Sequence, residues 1–251
     1  GDDGQIWGGE FFTWQDGEME RTAHLEYFPQ FLGDKMSREP RVSAVSLLRS
    51  NMERLMTIKE QFVAKERMFY LKLIEHDNAI QTSSMGRLLD GIASILGICS
   101  VNGYEGEAAM KLEAVAENSN ENICQYYELT LQDEVICWGQ MVNRVMDDKN
   151  AGIPIPFIAK KVFASLVNLV GQLAESKRIK KIACSGGVFQ NALLVDLMDE
   201  QLGSRFELYF QHKLSPNDEN ISFGQLAYVQ NAVNLLPAKK ALQKALDNFM
   251  K

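Results

Sequence analysis

Ile179-Lys-Lys-Ile-Ala-Cys-Ser-Gly-Gly-Val-Phe-Gln-Asn191 reads as a short apolar strand, a glycine turn and the start of a helix. The residues beyond it keep the pattern. Val188 to Leu202 reads as a helix and Arg205 to Gln211 as a second strand. Ser215-Pro-Asn-Asp218 reads as a loop, and Ile221 to Val233 as another helix, continued by a charged C-terminal helix. Strand, helix, strand, helix in this order is a β-α-β arrangement, so the spacing predicts an α/β fold with a parallel pair.

Upstream the signals are more mixed. Gln5 to Trp14 is β-like, Asp16-Gly17 is a hairpin turn signal, and Met19 to Phe28 is the return strand, with Ala23, Leu25 and Tyr27 alternating against Thr22, His24 and Glu26. A loop with Pro29, Gly33 and Pro40 comes next. Val42 to about His76 is helical, in two pieces. Thr82-Ser-Ser84 supplies an N-cap for a buried helix over Met85 to Ile98. Glu105 to Asn118 is amphipathic. Cys124 to Leu131 alternates like a strand, and Glu134 to Met146 reads as a strand edge plus a helix. Asp147 to Gly152 is polar and turn-rich, and a long helix then runs from Gly152-Ile-Pro-Ile-Pro156 to about Lys177.

Composition narrows the function. The 251 residues are 46% hydrophobic and 24% charged, the balance of an ordinary globular protein. A net charge of −7 without a basic stripe argues against nucleic acid. No apolar run approaches the roughly 18 residues that span a bilayer, and Gly1-Asp-Asp-Gly-Gln5 lacks the pattern of a signal peptide. Four cysteines without a CxxC pair fit neither a zinc site nor a disulfide framework, so a reducing cytoplasm is expected. His24, His76 and His212 form no local metal motif.

Ligands of open α/β sheets gather at the carboxyl ends of parallel strands. Two loops meet that condition, Ser185-Gly186-Gly187 and Ser215-Pro-Asn-Asp218. Glycines let the backbone approach a ligand, and free N–H groups at a helix start suit a phosphate. Asp218 is a hard oxygen ligand for a metal. Each feature also has a structural reading: a glycine turn between strand and helix, and an aspartate that caps a helix.

These motifs, in order, resemble the HypF family of hydrogenase maturation carbamoyltransferases. The resemblance rests on Ser185-Gly-Gly-Val-Phe-Gln-Asn191, Ser215-Pro-Asn-Asp218 and Ile221-Ser-Phe-Gly-Gln225. Upstream it rests on Trp7-Gly-Gly-Glu10, Gly33-Asp34 with Arg38-Glu-Pro40, Thr82-Ser-Ser-Met-Gly-Arg-Leu-Leu-Asp90 and Tyr104-Glu-Gly-Glu-Ala-Ala109. It covers nearly the whole chain. It implies an actin-like, sugar-kinase-like ATPase fold (ribonuclease H-like), with an incomplete first lobe and a complete second lobe. On this reading residues 1–40 are a hairpin and loop of the first lobe. Residues 41–150 are a mainly helical insertion with nucleotide-binding segments, and 151–251 form the C-terminal α/β lobe.

The resemblance also implies chemistry. Carbamoyl phosphate and ATP give carbamoyl adenylate in upstream domains, and the domain resembled here passes the carbamoyl group to the C-terminal cysteine of HypE. Dehydration there yields the cyanide ligands of nickel–iron hydrogenase. Residue by residue, Gly8 and Gly9 match a loop near the phosphates, Asp90 the ribose-holding acid and Gly106 the glycine beside it. Gly186, Gly187 and Asn191 match nucleotide contacts, and Asp218 matches a ligand of a divalent iron or zinc. Glu10, Arg87 and Glu113 fall in matching blocks without an assigned contact. Cys184, at a strand end, is expected to pack as a small residue.

Departures shape the expectation. The family's histidine pair, a further aspartate and an Asp-Gly-Thr-Gly block match nothing from Gly1 onward, and Phe163 stands where the family has a histidine. The chain therefore reads as a C-terminal fragment that binds ATP weakly and transfers nothing alone. Two other readings remain: threonylcarbamoylation of tRNA as in TsaD, against which the acidic charge argues, and a non-catalytic module that docks HypE.

Overall fold

The structure is a computed structural model and describes residues 1–15, 17–75 and 79–235. In chain order the elements are β1 (Glu10–Gln15), β2 (Glu18–Leu25), β3 (Phe28–Pro29), α1 (Lys35–Arg38), α2 (Pro40–Leu48), α3 (Met52–Met56), α4 (Ala64–Ile74), β4 (Gln81–Thr82) and α5 (Met85–Leu96). Beyond them come α6 (Glu107–Glu117), β5 (Thr130–Gln132), β6 (Val135–Cys137), α7 (Gly139–Asn150), α8 (Ile155–Ser176), β7 (Lys181–Ala183), α9 (Ala192–Leu202), β8 (Glu207–Tyr209) and α10 (Ile221–Leu235).

β1 and β2 form the expected antiparallel hairpin, with an irregularity between Phe11 and Phe12. Of the Asp16-Gly17 turn signal, Asp16 lies outside the described residues. The hairpin joins β6 and β5 in one sheet of order β1-β2-β6-β5, so segments on both sides of residue 40 share it. β2 runs parallel to β6, and β5 returns antiparallel to β6. Asp133 and Glu134 both take positive φ (46° and 69°), the two-residue turn that matches strand twist. β7 and β8 pair in parallel, as the strand-helix-strand pattern predicted.

The helical half differs in detail from its sequence reading. The stretch from Val42 to His76 breaks into α2, α3 and α4 because Asn51 caps a new helix, its side chain accepting from the Arg54 N–H at 3.1 Å. His76 lies outside the described residues. Pro40 is the first residue of α2, where its missing N–H costs nothing, so the expected loop ends one residue earlier. Arg41 ties α4 back to α2: its guanidinium bonds Glu39, Glu66 and the Gln61 carbonyl. The strand expected over Cys124 to Leu131 is ladder-paired only from Thr130.

The core lies where α2 packs on α5, and α6 packs on α5 and α8. Leu25, Phe28, Leu88, Ile92, Leu112, Val162 and Phe163 are wholly or almost wholly buried there. α8 bears on the absence of a long apolar run. Its 22 residues are long and apolar enough by composition to cross a membrane, which the absence of any single unbroken apolar run obscured. Two-thirds of its most apolar stretch, 67%, is buried inside this fold, so it serves as the core helix. α10 packs chiefly on the short turn before it, and Ile221, Phe223, Leu226, Tyr228 and Val229 are exposed. The charged continuation expected after it lies outside the described residues.

Candidate functional site

The site is assembled around the N-terminal half of α5. Ser84 caps this helix, accepting from the Arg87 N–H at 3.3 Å. The Gly8-Gly9 turn lies directly on that end. The Met85 N–H donates to the Gly8 carbonyl at 3.1 Å, and a Cβ on Gly9 would fall 2.4 Å from the Ser83 carbonyl oxygen. Only glycine fits so close an approach. The N–H groups of Gly8 and Gly9 both donate to one oxygen of Glu10, at 2.6 and 2.8 Å, and the Ser83 hydroxyl donates to its other oxygen. Sequence reasoning gave Glu10 no contact; here its carboxylate fills the anion seat the two glycines make.

Asp90 sits five residues beyond Met85 on α5, a rise of about 7.5 Å. It is completely buried. Arg87 Nη2 lies 2.8 Å from its Oδ2, yet neither carboxylate oxygen receives a hydrogen bond of good geometry, and Arg87 Nε is likewise unmatched. The pair is one of proximity alone. Burial pushes the Asp90 carboxyl up to about 6, with the Arg87 charge pulling back only in part. The three-residue helical spacing of Arg87 and Asp90 is the sequence signal that finds this pair.

Gly106, at φ +78°, starts α6. α6 packs against α5, the helix that carries Asp90. Glu113 of α6 reaches α9, accepting from the Leu193 N–H at 3.2 Å.

The turn after β7 closes the arrangement against α5. Gly186 takes φ +113° and ψ 156°, a conformation open to glycine alone. Its N–H donates to the Pro216 carbonyl at 2.7 Å, joining the two loops that leave the β7–β8 pair. Space above Gly186 is open. The N–H groups of Gly187 and Val188 make no hydrogen bond among the described residues. The helix expected from Val188 is corrected here: Gly187–Gln190 is a single 3-10 turn, and α9 starts at Ala192. The break follows from Asn191, whose extended backbone ends the turn and whose side chain caps α9 by accepting from the Leu194 N–H at 2.7 Å. Asn191 is thus buried and committed through its oxygen. Cys184 packs at the strand end, its thiol pushed up to about 12 by burial.

Asp218 follows Pro216 in the second of these loops. It is exposed in a short 3-10 turn that Asn217, not Asp218, caps by accepting from the Glu219 N–H. No group of three or more His, Cys, Asp or Glu among the described residues could hold a metal ion. His24 bonds the Leu25 carbonyl, His212 is exposed, and Phe163 is core. The described residues do not make a metal site.

Known proteins resemble this chain in sequence and fold. The family model for the second subdomain of the Kae1-like domain of carbamoyltransferases matches residues 1–225. The carbamoyltransferase HypF of Synechocystis sp. is 31% identical over 250 residues, covering 90% of this chain and 32% of that protein. The probable carbamoyltransferase HypF of Methanocaldococcus jannaschii is 29% identical over 238 residues, covering 90% and 31%. A crystal structure of full-length HypF in a phosphate- and nucleotide-bound form superposes with a TM-score of 0.83 at 31% identity, covering 95% of this chain and 32% of that one. HypF of T. kodakarensis, at 23% identity and a TM-score of 0.78, shares the fold. The chain spans about a third of the length of the curated relatives it matches. With its match to the second subdomain and its actin-like ATPase fold, the chain belongs to the HypF family of Kae1-like carbamoyltransferases.

Proposed function

We propose that this chain forms one wall of the nucleotide and carbamoyl-transfer site of a HypF-type carbamoyltransferase. The observation that carries the reading is Asp90: a carboxylate sealed inside the protein, with no hydrogen bond to either oxygen, on the helix that the Gly187–Gln190 turn packs against. A buried acid left in this state costs stability, and a ligand hydroxyl that donates to it removes that cost.

The residues fit a nucleotide of ATP or carbamoyl adenylate type. Gly186 and Gly187 leave room above them, and the free N–H groups of Gly187 and Val188 suit a phosphate. Asp90 accepts from ribose hydroxyls once Arg87 swings aside, and Gly106 opens the adjoining turn of α6. Glu10 yields or keeps the Gly8-Gly9 amides according to how far the phosphates reach. A nucleotide supplies the activated carbamoyl group, with AMP as leaving group. The acceptor thiolate, from the C-terminal cysteine of HypE, attacks the carbamoyl carbon; the C–S bond forms and the C–O bond to phosphate breaks. The buried Cys184 of this chain takes no part. Carbamoyl phosphate enters through other domains of the full-length protein, and the product carbamoyl-HypE serves the cyanide ligands of nickel–iron hydrogenase. No step is assigned to iron or zinc, for which Asp218 alone offers no site.

Calorimetry with ATP and AMP on this chain, together with mass spectrometry of a HypE C-terminal peptide, tests the reading. Weak nucleotide binding that is lost in Asp90→Ala, with no transfer by the chain alone, is expected. Carbamoyl transfer should appear with the full-length protein and fail when it carries Asp90→Ala. Unchanged transfer in that variant would sink the proposal.

A further inference from the structure

The anion seat beside α5 already holds the chain's own carboxylate. The N–H groups of Gly8 and Gly9 both donate to Glu10 Oε2, at 2.6 and 2.8 Å, and the Ser83 hydroxyl donates to Oε1. A carboxylate offers about four lone-pair sites, so roughly one acceptor position remains, on Oε1. Glu10 is half exposed, which leaves that position open to a ligand. Its charge has no cationic partner among the described residues. Arg21, the cation of the same hairpin, is committed elsewhere: it lies 3.2 Å from Asp3 Oδ2 and 4.1 Å over the Trp7 ring. Asp3 in turn accepts from Trp7 Nε1 at 2.8 Å and from the Tyr27 hydroxyl at 2.5 Å. Trp7 immediately precedes the two glycines, so the turn is clamped on both sides and Glu10 is held in its seat.

On the nucleotide reading above, on which this inference rests, the ribose lies at Asp90 and the phosphates run toward the glycine turns. Glu10 then stands ahead of them at the N-terminus of α5, about 7.5 Å of helix rise from Asp90. The positive end of the helix dipole, which otherwise favours phosphate, is answered there by a carboxylate. A second or third phosphate would bring further negative charge against it, and like charges repel. A neutral group with N–H donors in the same place meets an acceptor instead. We propose that Glu10 determines specificity at this site: its carboxylate favours a nucleoside monophosphate that carries a neutral N–H group, of which a carbamoyl group is one, and disfavours nucleoside di- and triphosphates. Glu10 thus acts on the bound ligand by charge and by one hydrogen bond, besides holding the turn.

The test compares three ligands on the whole chain by calorimetry at pH 8: adenosine 5′-phosphoramidate, ADP and ATP. In the first, an NH2 group stands on the phosphorus at which ADP continues into a second phosphate. Wild type should bind the phosphoramidate at least tenfold more tightly than ADP or ATP. Raising the ionic strength should narrow that ratio, because salt screens the charged tails. Glu10→Gln keeps the side chain's size and one acceptor oxygen but removes the charge. In this variant, its folding confirmed by a thermal melt, the ratio should fall at least fivefold. A loosened turn weakens all three ligands together and leaves the ratio alone, so the ratio separates specificity from scaffolding. A wild-type ratio near one, a ratio that ionic strength does not move, or a ratio unchanged in Glu10→Gln would each overturn the proposal and leave the nucleotide reading standing. Failure of all three ligands to bind wild type would overturn that reading and the proposal with it.

Discussion

Arg87 Nη2 stands 2.8 Å from Asp90 Oδ2, one helical turn along α5, while both oxygens of Asp90 go without a hydrogen bond. The guanidinium is near enough to attract the charge but is not placed to satisfy it. Burial therefore wins over the ion pair, and the carboxyl rises from 3.8 to about 6. The two residues make a wall that is stable when protonated and strained when charged.

Because the folded carboxyl titrates higher than the unfolded one, its contribution to stability is intact below about pH 4. It is lost as pH rises through about 6. The cost at neutral pH is about 3 kcal/mol. Asp90→Asn should then stabilise the chain at pH 8 by about 2 kcal/mol, the remainder going to the stranded Arg87, and raise Tm by roughly 4–8 °C. At pH 4 the advantage should vanish. Thermal melts at the two pH values check this, and a variant less stable than wild type at pH 8 contradicts it. ATP binding should weaken in the same variant, the exchange of stability for function that a binding residue shows.

Glu10 offers a second test, of opposite sign. Its carboxylate takes the N–H groups of Gly8 and Gly9 together with the Ser83 hydroxyl, so one side chain holds the hairpin to the cap of α5. Hydrogen bonds to a charged acceptor contribute about 1.5–3 kcal/mol when buried; this site is half exposed. Glu10→Ala should cost about 2 kcal/mol in urea denaturation. Glu10→Gln, which keeps one acceptor oxygen, should cost about half as much. Equal stability of all three proteins would show that the seat is not filled in solution.

How far the sequence could be read depends on where local chemistry and tertiary packing agree. The β7–β8 pair was legible because its strands are short, apolar and separated by a helix that forces a parallel crossover. Ser84 as the cap of α5 was legible for the same reason: capping is decided within four residues. The start of α9 was not, since Val188 to Leu202 has helical periodicity throughout and only the Asn191 cap sets the break. The pairing of β2 with β6 joins residues more than a hundred positions apart and leaves no local trace. Asp90 was legible as a candidate through family resemblance, whereas its complete burial and its imperfect contact with Arg87 required the structure.

Cys184 should be chemically silent. Burial alone, with no neighbouring cation, pushes its thiol up to about 12, so almost no thiolate exists at pH 8. Iodoacetamide on the folded chain, read by peptide mass spectrometry, should label the exposed Cys124 and leave Cys184 unmodified until urea is added. Labelling of Cys184 at the rate of Cys124 would mean that the strand end opens readily and that Cys184 is not the inert packed residue its burial implies.

Gly186 and Gly187 adjoin in sequence but separate two roles. Gly186 holds φ +113°, so Gly186→Ala meets no atom yet forces a conformation that side chains avoid; the expected loss is about 1–3 kcal/mol. Gly187 has an ordinary φ, and the nearest atom to an added methyl is Gln190 Oε1 at 3.9 Å, so Gly187→Ala should leave stability within about 0.5 kcal/mol. A phosphate lying against this turn would meet that methyl directly. Gly187→Ala is therefore expected to weaken ATP binding at least fivefold at unchanged Tm, measured by calorimetry and thermal melts on one preparation. If Gly187→Ala binds ATP as wild type does, the open space above the turn is not where the nucleotide lies, and the glycines serve the chain reversal alone.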